Sequence, residues 1–115
     1  MIWQKGIELT GLVYQLVSEF PKEEMYALTN QIKRSSISIP SNIAEGYGRN
    51  STKSYSQFIK ISRGSLYELE TQLIIAEKLN YIKDKELSIH ILDIIQEEGK
   101  MINSFIKKIE TTNFN

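Results

Sequence analysis

Apolar side chains recur every three or four positions along almost the whole chain, and that period commits it to helices. With two prolines and six glycines in 115 residues there are few places to stop, so the helices must be long. The first is expected over residues 2–18, with Leu9, Leu12, Val13, Leu16 and Phe20 on one face and Trp3 and Ile7 extending that face by a turn. Gly6 and Gly11 each weaken such a helix by about 1 kcal/mol relative to alanine, which points to a close neighbour. Pro21 ends it, and Glu23 and Glu24 carry the negative charge that suits the start of the next helix.

The second helix is expected to begin near Glu23 and to turn Met25, Leu28, Ile32, Ser36, Ile39 and Ile43 inward. That row crosses Pro40 without losing phase. One helix kinked at Pro40 is therefore favoured over a break with Pro40 at the first position of a new helix. Proline cannot donate to the Ser36 carbonyl, and nearby serine hydroxyls are candidates to serve the carbonyls it frees. Gly46 or Gly48 is expected to close this helix in the left-handed conformation. Small side chains at Ser35, Ser36, Ser38, Ser41 and Ala44 would let a neighbour approach.

A third helix over 52–79 is capped by Ser51, stopped at Asn80, and presents Ile59, Ser62, Leu66, Leu69, Leu73 and Ala76. At 1.5 Å per residue it is about 42 Å long and needs partners along its whole side. Asp84 can cap a fourth helix reaching about Glu110, with Leu87, Ile91, Ile94, Ile95, Ile102, Phe105 and Ile109 inward and Glu98 interrupting the row. Residues 111–115 are expected to fray. Four long helices with short turns predict an all-α, antiparallel up-down-up-down four-helix bundle, one domain over residues 1–115. Apolar residues also lie off the main rows: Tyr14, Ile37, Ile61, Tyr67, Ile74, Ile75, Ile89, Leu92 and Ile106. So many broad faces imply a second buried surface, and hence a homo-oligomer.

Charge narrows the function classes. Lys plus Arg and Asp plus Glu both count 14, so no global field points to nucleic acid or to an anionic membrane. Without cysteine there is no disulfide framework and no thiolate nucleophile. No apolar run approaches the roughly 20 residues that cross a bilayer, and the N-terminus lacks the layout of a signal peptide, so a cytoplasmic protein is expected. The charge is uneven, however. Lys33, Arg34, Arg49, Lys53, Lys60 and Arg63 face only one acid, Glu45, between residues 33 and 63. That basic segment is a candidate for RNA or DNA contact, with Tyr47 or Tyr55 available to stack a base; pairing with acids on neighbouring helices is the simpler use.

Ser38, Asn42, Glu45 and Arg49 recur at helical spacing as a polar stripe, a candidate small site or, more simply, a subunit contact. Glu68 and Glu70, two apart, cannot face each other as an acid pair. His90 is the only histidine, the serines beside Pro40 have no adjacent base, and Gly46-Tyr47-Gly48 lacks the Gly-Lys-Ser/Thr of a phosphate loop. No enzyme activity, cofactor or metal is expected.

The run Gln31-Ile32-Lys33-Arg34-Ser35-Ser36-Ile37-Ser38-Ile39-Pro40-Ser41-Asn42-Ile43-Ala44-Glu45-Gly46-Tyr47-Gly48-Arg49 resembles the signature of the bacterial four-helix bundle family associated with intervening sequences of 23S ribosomal RNA genes, also labelled S23 ribosomal protein. Trp3-Gln4-Lys5, Phe20-Pro21-Lys22-Glu23-Glu24 and the segment from Gly64 to Leu73 are similar to the same family, in the same order. The resemblance implies an antiparallel four-helix bundle that assembles as a homopentamer, and no established biochemical activity. A similar bundle, the accessory variability protein of diversity-generating retroelements, works with a reverse transcriptase and binds nucleic acid. Those relatives are strongly basic, whereas this chain is neutral. The first expected partner is thus another copy of the chain, in a scaffold or accessory role. The alternative is RNA, DNA or a nucleic-acid enzyme.

Overall fold

The computed structural model describes residues 1–112 as four α-helices and one short 3-10 turn, with no strand among the described residues. The helices are α1 (Ile2–Val17), α2 (Leu28–Tyr47), α3 (Thr52–Lys78) and α4 (Lys85–Thr112); the 3-10 turn spans Lys22–Glu24. Each helix packs on two others, α1 on α2 and α4, α3 on α2 and α4. The transverse extents of 24 and 20 Å fit two helices each way.

Cross-helix bonds set the register. Thr10 meets Ser36 while Gly6 faces Pro40. Ser35 reaches Glu68, Ser38 reaches Ser65, and Ser62 bonds the Ile39 carbonyl. Glu77 pairs with Lys85, Arg63 with Asn103 and Lys60 with Glu110. Numbers rise on one helix as they fall on the next, so successive helices run in opposite directions.

The core holds the inner rows of all four helices: Leu9, Val13 and Leu16 of α1, Ile32, Ile39 and Ile43 of α2, Ile59, Leu66, Leu69 and Leu73 of α3, and Ile91, Ile102 and Ile106 of α4. Ile106 was expected off the main row and is buried instead. Trp3 and Ile7 depart the other way. The inner row of α1 continues backwards from Leu9 through Gly6 and Ile2, in steps of three and four, and both are buried. Trp3 and Ile7 lie one residue on, about 100° further round, and stand 46% and 47% exposed.

Helix α2 starts later than expected. Residues 22–24 form the 3-10 turn, Ala27 has non-helical angles, and Met25 is exposed. Glu24 acts from outside the helix: its Oε1 accepts from the Leu28 N–H (3.3 Å) and its Oε2 from the Tyr81 hydroxyl (3.1 Å). Pro40 lies inside one continuous α2. The Ser36 carbonyl, which Pro40 cannot serve, accepts a bond from the Thr10 hydroxyl of α1 (2.9 Å), shared with the Gly6 carbonyl (3.0 Å). The donor is thus a threonine from the neighbouring helix, not a local serine.

Neither Gly46 nor Gly48 is left-handed; no glycine has positive φ among the described residues. Gly46 serves approach instead. A Cβ there would lie 2.9 Å from Phe58 Cβ and 3.2 Å from the Tyr55 carbonyl oxygen, so α3 passes too close for any side chain. The left-handed stop falls at Asn80 (φ 61°), where Tyr81 N–H bonds the Ala76 carbonyl and Asn80 N–H the Glu77 carbonyl, both at 3.0 Å. Ser51 caps α3 through Ser54 N–H (3.1 Å), and Asp84 accepts from Leu87 N–H (3.0 Å) at the head of α4. Of the segment expected to fray, Thr111 and Thr112 continue α4, and 113–115 lie outside the described residues.

Candidate functional site

Antiparallel packing divides the basic segment between two sides of the bundle. Arg34 and Arg49 both lie on or just past α2, and their 15-residue separation is about 22 Å of helix. Lys33 places its ammonium 4.9 Å from the centre of the Tyr14 ring, on the α1 side. Lys60 and Arg63 turn to α4, where Lys60 pairs with Glu110 (2.6 Å) and Arg63 donates to Asn103 (2.9 Å). Arg49 pairs with Glu45 (2.6 Å) and covers the Phe58 ring at 4.6 Å. Arg34 and Lys53 are exposed. Lys33 thus lies on the α1 side, whereas Lys53 and Lys60 line one groove beside Glu110, with Arg63 turned to the same helix.

The first half of the polar stripe lies on the α2–α3 seam. Asn42 Nδ2 donates to the Ser38 carbonyl and to Ser38 Oγ, each at 2.8 Å, and Ser38 Oγ lies 2.8 Å from Ser65 Oγ. Glu45 and Arg49 close on each other. The four side chains thus form two separate bonded pairs, half-buried at Ser38 and Asn42 and exposed at Glu45 and Arg49.

Glu98 is the polar group the sequence undervalued. It keeps phase with the inner row of α4, is fully buried, and neither carboxyl oxygen has a hydrogen-bond partner. Gly6 makes the room: a Cβ there would stand 3.3 Å from Glu98 Oε2 and 3.3 Å from Pro40 Cβ. Burial pushes the Glu98 carboxyl up to about 7, against the opposing pull of Lys5 and the N-terminal ammonium. Lys5 itself bonds Glu97 at 2.8 Å, which holds the Glu97 carboxyl below the usual range. A lone buried acid is not a catalytic pair, and no cluster of metal-ligating side chains exists among the described residues.

Two further features are apolar surfaces, the first foreshadowed by the off-row residues Tyr14 and Ile37. Trp3, Ile7 and Tyr14 form an outward apolar row on α1, at spacings of four and seven, and Ile37 lies on the same side of α2 as Lys33, which covers Tyr14. At one end of the bundle, a cleft of about 870 Å³ opens between the start of α1, the end of α2 and α4, with Trp3, Ile43, Met101 and Phe105 among its walls.

No helix among the described residues is long and apolar enough to cross a membrane. A family model described as 23S rRNA-intervening sequence protein matches residues 1–104. The fold is similar to the crystal structure of a protein of unknown function from the S23 ribosomal protein family of Bacteroides thetaiotaomicron. The TM-score is 0.81 at 24% identity, over 93% of this chain and 99% of that one. No curated protein matches the chain.

Proposed function

We propose, from the premise that the chain belongs to the family of 23S rRNA-intervening sequence proteins, that it is a self-associating helical scaffold or accessory subunit that works in the cytoplasm by protein–protein contact rather than by catalysis. The observation that carries this reading is the second apolar row of α1. A helix of a monomeric bundle needs one apolar stripe; α1 has its buried row and, beside it, Trp3, Ile7 and Tyr14 at 46, 47 and 38% exposure. Helix α3 repeats the arrangement with Tyr67 and Ile74, seven residues apart and both about half exposed. Contiguous rows of this kind cost solubility unless a partner covers them.

Light scattering tests it. The expected particle is several times the 13.3 kDa chain, five times on the family resemblance, and Ile7→Glu shifts it toward the chain mass. A particle of chain mass at high protein concentration overturns the reading. The basic segment gives the contrasting outcome. Gel shift with structured RNA is expected to show no retention, whereas retention that weakens steeply with salt would replace the scaffold by a nucleic-acid accessory role.

A further inference from the structure

Glu98 sits where Gly6 of α1 meets Pro40 of α2, fully buried and with neither carboxyl oxygen partnered. Two of the helices around it are well fastened. Helix α2 runs unbroken through Pro40 and is pinned to α3 by Ser62 on the Ile39 carbonyl and by Ser38 with Ser65, both at 2.8 Å. Helix α4 carries Glu98 in its interior and is tied to α3 by Arg63 with Asn103 (2.9 Å) and Lys60 with Glu110 (2.6 Å). The head of α1 is the loose wall. Met1 at its N-cap makes no side-chain bond, and its first turn carries no acid. Residues 1–4 border the bundle-end cleft and lack packing on that flank. Among the described residues, one cross-helix polar bond ties residues 1–6 to the bundle, Lys5 to Glu97 at 2.8 Å. The next tie, Thr10 to the Ser36 carbonyl, lies a turn beyond.

The charges around Glu98 do not satisfy it. On α1, Lys5 and the N-terminal ammonium favour its ionised form, but Lys5 is held by Glu97, the neighbour of Glu98 on α4. On α2 the facing residues are Ile39 and Pro40, neither charged. On α3, Leu66 stands over Gly99, while Arg63 and Glu70 bond Asn103 and Gln96 on the exposed side of α4. Burial prevails and pushes the carboxyl up to about 7. An ionised Glu98 needs water, and the wall that can admit it is the head of α1. We propose that residues 1–6 are a proton-held strap, seated on the bundle while Glu98 is a neutral acid and lifted from it when Glu98 ionises. On the self-association reading above, from which this consequence alone follows, lifting takes Trp3 out of line with Ile7 and Tyr14 and weakens assembly.

Amide hydrogen exchange of the full chain, corrected for the intrinsic effect of pH on exchange, reads the strap. The seated state holds the extra proton, so seating is lost as pH rises. Protection at residues 5–9 is expected to fall about tenfold between pH 6 and pH 8, the factor set by a carboxyl at about 7 when seated and 4.5 when free. Residues 66–73, inside α3, are expected to keep their protection. Glu98→Gln and Glu98→Met, neutral at both values, should abolish the fall. Tyr14→Glu damages the outward row outside the strap and should leave the fall in place, which tests the strap without assembly. Light scattering of the parent chain is expected to give a particle nearer the chain mass at pH 8 than at pH 6, with no such shift in Glu98→Gln. Responding amides with a particle of chain mass at both values would remove self-association and leave the strap. Protection independent of pH, which Lys5 turning from Glu97 to Glu98 would give, overturns the strap. So does a fall shared by residues 66–73 or retained in Glu98→Gln.

Discussion

A carboxyl group in the middle of a helical core has to keep its proton or find a cation, and Glu98 has no bonded cation. Its surroundings are Gly6 on α1 and Pro40 on α2; the charges that bear on it are Lys5, engaged with Glu97, and the N-terminal ammonium. The folded carboxyl titrates at about 7 against 4.5 for the ordinary group, so the folded state holds a proton that the unfolded chain releases. Its contribution to stability is fully present below about pH 4.5, shrinks as pH rises toward 7, and is lost above 7. The full span is about 3 kcal/mol. Glu97 and Glu110, held low by Lys5 and Lys60, act in the opposite sense and only in acid, and both are exposed enough to contribute little. Urea denaturation of the parent chain at pH 5.5 and pH 8 is therefore expected to show lower stability at pH 8. Glu98→Met should remove most of that difference and raise stability at pH 8. A parent chain equally stable at both values would show that the carboxyl is solvated.

Helix α2 shows how one element is held by its neighbours at the points where its own sequence is weak. Pro40 takes a donor from the helix, and Thr10 of α1 supplies one to the Ser36 carbonyl. Thr10→Val keeps the shape, removes the hydroxyl, and is expected to cost about 1 kcal/mol in denaturant. Gly46 tests the other contact. With α3 atoms 2.9 and 3.2 Å from the missing Cβ, Gly46→Ala is expected to destabilise by about 1–3 kcal/mol. Gly11→Ala, in an exposed helix interior with nothing within 4 Å, is expected to stabilise by about 1 kcal/mol. Chemical denaturation of the pair separates a glycine kept for packing from one that is not. From spacing alone Gly6 and Gly11 read alike, since spacing says where a small residue sits but not what passes over it. Ser51, Asn80 and Asp84 were legible because capping is a local affair of a few residues. Met25 was misplaced because a three-four row can run on through a turn that is not α-helical. The placement of the basic segment was less legible, since charge counted along the chain says nothing of direction: Lys33 turns toward α1 and Lys60 toward α4.

On the scale of the molecule, the two outward apolar rows lie on opposite sides. Ile7 and Tyr14 stand with Ile37 on the α1–α2 side, while Ile74 shares a groove with Ile89 and Leu92 on the α3–α4 side. Two different patches on opposite faces favour head-to-tail contact, in which one copy's first patch meets the next copy's second, over a two-fold contact of a patch with itself. Such contact closes into a ring when the rotation per copy allows. The two arrangements respond differently to mixing. Ile7→Glu damages the first patch and Ile74→Glu the second, each by placing a charge where the proposed neighbour would bring apolar surface. For head-to-tail contact, each variant alone is expected at the chain mass by light scattering. An equimolar mixture should then form a complex of two chains and stop, because only one intact pair of patches remains. With a two-fold contact through the α1–α2 patch, Ile74→Glu alone would still dimerise and mixing would add nothing. That second result would overturn the head-to-tail arrangement while leaving self-association itself in place.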